Sequence, residues 1–439
     1  MDWRAFRRAV SAAACVVLAA VPMALAQAGG GGNGGGTAGG GGPGGGGVGA
    51  GGAGTGASGA TGASAPPKPA LTNVPSTNDP LEPYFAWKQR IYEQYGFKAG
   101  LNIDLTSQTV ITGPSSPFTR PVARYDLGLH QKLWEGAEAD MDVRGGWGDG
   151  PDAEYNNTVN TNQYARTGSR IFVLHLWLQQ KLMDDQLTFR AGKMDVGDFM
   201  DVNRFGYYNF VGYSFAHNFA IPLPGNPLAA MFTYEPKWGN GWYLSGAVAN
   251  NYNAGPSSYR AGFDDLFAGN TSLFALAELG WKTKFFGQDG IYRFEAFYDG
   301  RDLTHIDGVG NDNQRGGFAI SFDQNITKDF GVFVRYGWAN QHEYTPMQYW
   351  SAGFDWTAPF GDARPKDDFA IGVVQNVFSN MRDQVVSNAS NEETYFEAYY
   401  NFYVTQWLQV QPMVQIVTNP GGVAATTETV LGAHVAFRF

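Results

Sequence analysis

Apolar and polar positions alternate with period two through most of this chain. From Glu428 to Phe439, Leu431, Ala433, Val435, Phe437 and Phe439 form one series, and Val430, Gly432, His434, Ala436 and Arg438 form the other. Strand side chains point alternately to opposite faces, so this stretch predicts a strand with one apolar face and one face carrying His434 and Arg438. From Phe97 onward sixteen such segments recur, at 98–111, 122–132, 136–147, 170–182, 186–193, 226–235, 241–250, 272–284, 290–299, 315–324, 329–340, 347–357, 367–378, 393–403, 407–417 and 428–439. Each is 8 to 14 residues long, around the roughly 9–11 that a tilted membrane strand needs. Ahead of them, Phe85, Lys88, Ile91 and Tyr92 fall at helical spacing with Gly96 as a stop, which predicts a short packing helix within 84–97.

The segments assign their own faces. In 329–340, Phe330, Val332, Val334, Tyr336 and Trp338 oppose Gly331, Arg335 and Gly337. In 290–299, Tyr292, Phe294, Ala296 and Tyr298 oppose Arg293, Glu295 and Asp299. In 136–147, Ala137, Ala139, Met141 and Val143 oppose Glu138, Asp140, Asp142 and Arg144. In 170–182, Phe172, Leu174, Leu176 and Leu178 oppose His175, Trp177 and Gln179. A slip of one residue would turn these charges into lipid, at roughly 2–4 kcal/mol for an arginine at the midplane. The predicted connections alternate between a short set, such as 133–135, 183–185 and 404–406, and a long set, 148–169, 194–225, 251–271, 300–314, 379–392 and 419–427. Short turns at one end and long loops at the other are the pattern of an even-stranded barrel. The expected fold is therefore all-β, a transmembrane antiparallel β-barrel of about 16 strands enclosing an aqueous channel. Residues 98–439 form this domain.

Composition agrees with a sheet that has one face in lipid: aromatics are 15 % and charged residues only 16 %. The N-terminus adds an export route. Arg4, Arg7 and Arg8 precede an apolar stretch from Ala9 to Leu25 and an A-x-A site at Ala24–Ala26, so residues 1–26 read as a signal peptide. The single cysteine, Cys15, lies inside it, which excludes a disulfide framework and a thiol nucleophile from the mature chain. Without residues 1–26 the chain carries 27 basic against 39 acidic residues, a balance of −12 that argues against nucleic acid as a partner. Residues 27–83 are rich in Gly and then in Pro and read as a flexible periplasmic linker, whose candidate roles are to cross the periplasm or to touch peptidoglycan. The chain has no G-x-S-x-G or H-E-x-x-H motif, and its six histidines lack metal-ligand spacing, so neither an enzyme nor a cofactor or metal is expected.

Four stretches carry a family likeness. They are Trp87 to Gly96 with the strand after it; Leu187 to Val196 (LTFRAGKMDV); Pro222 to Pro236 (PLPGNPLAAMFTYEP) with Trp242 to Ala247; and Glu393 to Gly422 (ETYFEAYYNFYVTQWLQVQPMVQIVTNPGG) with the final strand. The terminal strand ending on Phe439 also resembles those of bacterial outer-membrane barrels. Over residues 84–439 the chain resembles the carbohydrate-selective porin family, the glucose-type outer-membrane porins. It lacks the family's Asp-Trp-Gly-Gly lead and adds the Gly-rich N-terminus.

The resemblance implies passive, selective diffusion of mono- and small oligosaccharides across the outer membrane, with membrane lipid and sugars as partners. A general cation-leaning porin and an envelope anchor acting through the N-terminal tether are the alternatives. By count, the connection 194–225 is the third outer loop, the one that folds inward in general porins. It holds Asp198, Asp201, Arg204, Tyr207, Tyr208, His217 and Asn218. On the wall, Trp177, Arg190, Arg293, Glu295 and Arg335 are the candidate pore-lining residues, each weighed against plain lumen solvation or a cross-strand ion pair. Trp238, Trp242, Trp281 and Trp407 read as interfacial girdle. No subunit interface is legible, which leaves monomer and trimer open.

Overall fold

The computed structural model describes residues 79–439, apart from 114–115, 156, 166–170, 208, 226, 251–271, 286, 313–314, 341, 343–345 and 425. The expected signal peptide, most of the expected linker, and Tyr208 lie outside the described residues.

The helix α1 runs from Glu82 to Tyr95. It starts two residues earlier than the spacing of apolar positions predicts, because Pro83 is tolerated in the first turn, where backbone N–H groups have no intrahelical partner. Gly96, at φ +68°, ends it by donating its N–H to the Tyr92 carbonyl at 2.8 Å.

The strands follow in order: β1 (Phe97–Thr112), β2 (Phe118–Trp134), β3 (Ala137–Trp147), β4 (Phe172–Leu182), β5 (Leu187–Lys193), β6 (Leu228–Tyr234), β7 (Trp242–Asn250), β8 (Leu273–Phe285) and β9 (Gln288–Asp299). After a two-stranded hairpin, β10 (Leu303–Thr304) and β11 (Asn311–Asp312), come β12 (Arg315–Asn325), β13 (Phe330–Ala339), β14 (Gln348–Thr357), β15 (Asp368–Val377), β16 (Glu392–Tyr403), β17 (Leu408–Thr418) and β18 (Thr427–Arg438). All but β10 and β11 form one closed barrel in which each strand pairs with its chain neighbours, β9 pairing with β12 across the hairpin. β18 closes on β1, with Ile103 opposite Phe437 and Leu105 opposite Val435. The Phe439 N–H reaches the Leu101 carbonyl at 2.8 Å, and the Leu101 N–H reaches the Phe439 carbonyl at 3.0 Å. Closure pairs the backbone groups that an open sheet edge would expose to lipid.

The sixteen barrel strands are the sixteen period-two segments, with ends moved by a few residues. Their faces follow the alternation: on β9, Phe294 is 50 % exposed while Glu295 beside it is 0 % exposed. One assignment is corrected. On β4, Asp142 pairs with His175 but Val143 pairs with Val173, so Leu174 is an extra residue in a β-bulge. The bulge reverses the alternation before it. Leu174 is 0 % exposed, against 44 % for Leu176, so Leu174 and Phe172 are buried and not on the lipid face.

The segregation of loops holds less cleanly than the sequence suggests. At the long-loop end, connection 113–117 is short, and at the other end 358–367 is extended by a 3₁₀ turn. The hairpin β10–β11 and a short helix α2 (Asp152–Tyr155) also form in outer connections that carry no period-two signal. At the short-turn end Trp242 stacks on its cross-strand partner Trp281 at 5.5 Å and Trp407 stacks on Phe439 at 6.1 Å, the arrangement of an interfacial girdle.

Candidate functional site

Two of the connections among the described residues bond to polar groups on the inward face of the barrel wall. The first is 194–227, between β5 and β6. It opens with Asp195, whose Oδ1 accepts the Gly197 N–H at 2.9 Å and caps a 3₁₀ turn, Val196–Asp198. Asp198 then bridges to His175 of β4 at 3.0 Å and accepts the Tyr207 hydroxyl. Burial, and next the Asp198 carboxylate, push Asp195 up to about 7.

Asp201 turns the chain back at φ +59° and is its main tether. Its carboxylate pairs with the Arg335 guanidinium of β13 and accepts the Asn218 N–H at 2.7 Å, while its own N–H donates to Glu278 of β8 at 3.2 Å. Arg335 also donates to the carbonyls of Asp201 at 2.9 Å, Phe215 at 3.0 Å and Ala216 at 3.3 Å, so one side chain holds both arms of the loop. Further along, Asn203 donates to Ser321 of β12 at 3.1 Å, Arg204 pairs with Asp323 at 3.2 Å and Asn218 donates to the Tyr336 carbonyl at 3.1 Å. Val211 and Gly212 donate to Glu397 of β16, and Gln411 of β17 donates to the Asn209 carbonyl at 2.8 Å. A segment rooted at β5 and β6 thus bonds to inward-facing groups on β4, β8, β12, β13, β16 and β17.

The wall makes room for it. A Cβ at Gly331 would occupy the Phe205 ring, one at Gly337 the Asn218 amide, and one at Gly372 the Phe215 ring. These inward glycines let the loop lie against the strands.

The second connection is 148–171, which the sequence reading did not single out. Its Thr158 N–H donates to Glu393 at 2.9 Å, and its Thr161 carbonyl accepts from Gln108 at 3.0 Å and Gln415 at 2.9 Å. Its backbone joins the first loop, Gln163 N–H to Val211 carbonyl at 2.9 Å and Tyr213 N–H to Asn160 carbonyl at 2.8 Å. Tyr164 stacks on His434 at 4.2 Å, and the Arg124 guanidinium lies over the Tyr164 ring at 4.4 Å. Only the inward parity of Gln108, Glu393 and Gln415 could have pointed to these anchors.

The five wall candidates are all buried, each 4 % exposed or less. Arg190 lies over Trp177 at 4.6 Å and over the loop residue Phe199 at 3.8 Å, and bonds to Gln179. Arg293 pairs with Asp323 at 2.7 Å, a diagonal cross-strand ion pair that Arg204 shares. Glu295 sits directly opposite Glu278. Arg335 faces Asp201. On the loop, His217 is packed between Tyr207 and Tyr213 at 5.5 and 5.0 Å, and burial pushes its pKa down to about 4 against the pull of Asp201 and Asp198. It is therefore neutral at pH 7. Arg204, Tyr207 and Asn209 keep part of their surface exposed.

Known proteins can be set beside this geometry. The structure of Pseudomonas putida OprB at high pH superposes with a TM-score of 0.67 at 17 % identity, covering 81 % of this chain and 97 % of that one. The low-pH structure gives 0.53 at 17 % identity, over 82 % and 97 %. At that identity the likeness concerns the fold. Porin B of Pseudomonas aeruginosa is 25 % identical over 299 residues, a match that takes in 56 % of this chain and 63 % of that relative's length. Residues 122–439 match the family described as carbohydrate-selective porin, OprB family, so most of the barrel, from within β2 to the last residue, carries the family's sequence pattern and the chain belongs to that family.

Proposed function

We propose that this chain is an outer-membrane porin through which mono- and small oligosaccharides diffuse passively and selectively. The observation that carries the reading is the path of 194–227, which leaves β5 and is tethered across the lumen to Arg335 and Glu397. A sixteen-stranded barrel is too wide to fill with its own side chains, and an inward loop narrows it to a constriction. In this reading Trp177, Arg190, Arg293, Glu295 and Arg335 shape the constriction from behind, while Asp198 and His217 stiffen the loop. Arg204 and Tyr207 offer donors to sugar hydroxyls, and the Tyr207 ring offers an apolar face to sugar C–H groups. Diffusion needs no cofactor and no covalent step.

Liposome swelling tests this. Vesicles carrying the refolded protein are expected to swell faster in glucose than in a basic amino acid or a carboxylate of similar size. Equal rates for all three would favour a general pore, and a faster rate for the basic amino acid would favour the cation-leaning alternative that the acidic balance of the chain allows.

A further inference from the structure

Glu397 occupies an inward position of β16 and is 0 % exposed. Its Oε1 accepts the Val211 N–H at 2.7 Å and its Oε2 accepts the Gly212 N–H at 2.9 Å, so each carboxylate oxygen takes one of two consecutive loop amides. Tyr395 donates its hydroxyl to Oε2, and the Gln415 amide does so at 3.0 Å. The approach is as close as backbone permits, because a Cβ at Gly212 would fall on the Tyr395 ring. Gln415 also donates to the Thr161 carbonyl at 2.9 Å and accepts from Gln108 at 2.8 Å. Through that amide the carboxylate reaches the second loop, which is itself joined to Val211 and Tyr213 by backbone hydrogen bonds.

We propose that Glu397 is a positioning residue that fixes the depth of both inward loops and thereby sets the aperture a sugar meets. This rests on the reading of 194–227 as the constriction. Only a carboxylate suits the place: it has two acceptor oxygens for two adjacent N–H groups. An amide would turn its own NH₂ against one of them and leave a buried donor unpaired. Tyr395 adds shape, since its ring closes the space beside Gly212, and Gln415 carries the constraint to the neighbouring loop.

Three variants of the full chain test the proposal in planar bilayers. Glu397→Gln is expected to raise open-channel conductance about twofold and to weaken glucose block several-fold, since a constriction acts through its width and its lining groups. Gly212→Ala displaces the loop from the other side while keeping the carboxylate and is expected to shift both readouts the same way. Glu397→Asp keeps the carboxylate and should recover most of the wild-type block. Glu397→Gln and Gly212→Ala should also lower the thermal unfolding midpoint of the barrel, one by leaving a buried donor unpaired and the other by driving a methyl into the Tyr395 ring, whereas a merely structural role would lower the midpoint without moving the block. A protein with residues 199–219 replaced by a short Gly-Ser link separates the two claims. If that replacement changes conductance and block while Glu397→Gln and Gly212→Ala behave as wild type, the role of Glu397 is overturned and the constriction stands. If the replacement changes neither, the constriction reading falls.

Discussion

Arg335→Ala is expected to cost about 3–5 kcal/mol in the denaturant stability of the loop-bearing barrel, the range for removing one partner of a buried ion pair. The loss is large because the variant leaves the Asp201 carboxylate buried, 0 % exposed, and opposite no guanidinium. The carbonyls of Asp201, Phe215 and Ala216 lose their donor at the same time. Both arms of the loop lose the Arg335 tether, and only the Asn218 bond to the Tyr336 carbonyl is left of the β13 hydrogen bonds described above, so open-channel conductance should become noisier and larger. Arg335→Ala combined with Asp201→Asn removes the stranded charge and should recover part of the stability, since much of the penalty in the single variant is the unpaired carboxylate. Urea unfolding curves of the wild type, the single and the double variant check this. Superimposable curves for the wild type and Arg335→Ala would show that the pair holds nothing.

Replacing residues 199–219 by a short Gly-Ser link should have the largest effect on transport. Conductance is expected to rise several-fold and sugar block to weaken strongly, because a sixteen-stranded barrel is a wide aqueous channel and the connection 148–171, anchored to Glu393, Gln108 and Gln415, would be left without its bonds to Val211 and Tyr213. The barrel should survive. β5 and β6 pair from Leu187 opposite Tyr234 to Lys193 opposite Leu228, and that ladder lies outside the replaced segment. The wall groups that the loop covers, Asp323, Glu397 and Arg335 among them, would pass into water instead of remaining buried without partners. Single-channel recording, with circular dichroism to show that the strands persist, decides the outcome.

The strands were legible because burial in lipid and burial in the lumen impose opposite chemistry on alternate residues. β9 shows the effect most plainly, with Arg293, Glu295 and Asp299 inward and Phe294 and Tyr298 outward. β4 shows its limit. A single extra residue, Leu174, leaves no mark in composition, yet it reverses the face of everything before it. The loop contacts with the barrel wall were legible only in part. The loop 194–227 announced itself by length and by its third place among the outer connections, but its tethers did not. Asp201 and Arg335 are 134 positions apart and Val211 and Glu397 are 186 apart, so nothing local in the sequence couples them. The wall charges were visible as charges. That Arg335 would be spent on loop carbonyls, and Arg293 on Asp323, depends on which strands the loop passes, which period-two reasoning does not address. Glycines at Gly331, Gly337 and Gly372 look like weak points in strands until the loop side chains that fill their space are seen.

The most direct test of the central claim is single-channel conductance of the refolded mature chain while glucose, a disaccharide and a basic amino acid are titrated in. A sugar-selective constriction predicts saturable block by glucose in roughly the millimolar range, as expected of a weak, rapidly exchanging site in a conducting pore. The disaccharide should block as well and the basic amino acid should not. A steady conductance that no sugar changes, with preference for cations, would contradict the account and leave a general cation-leaning pore.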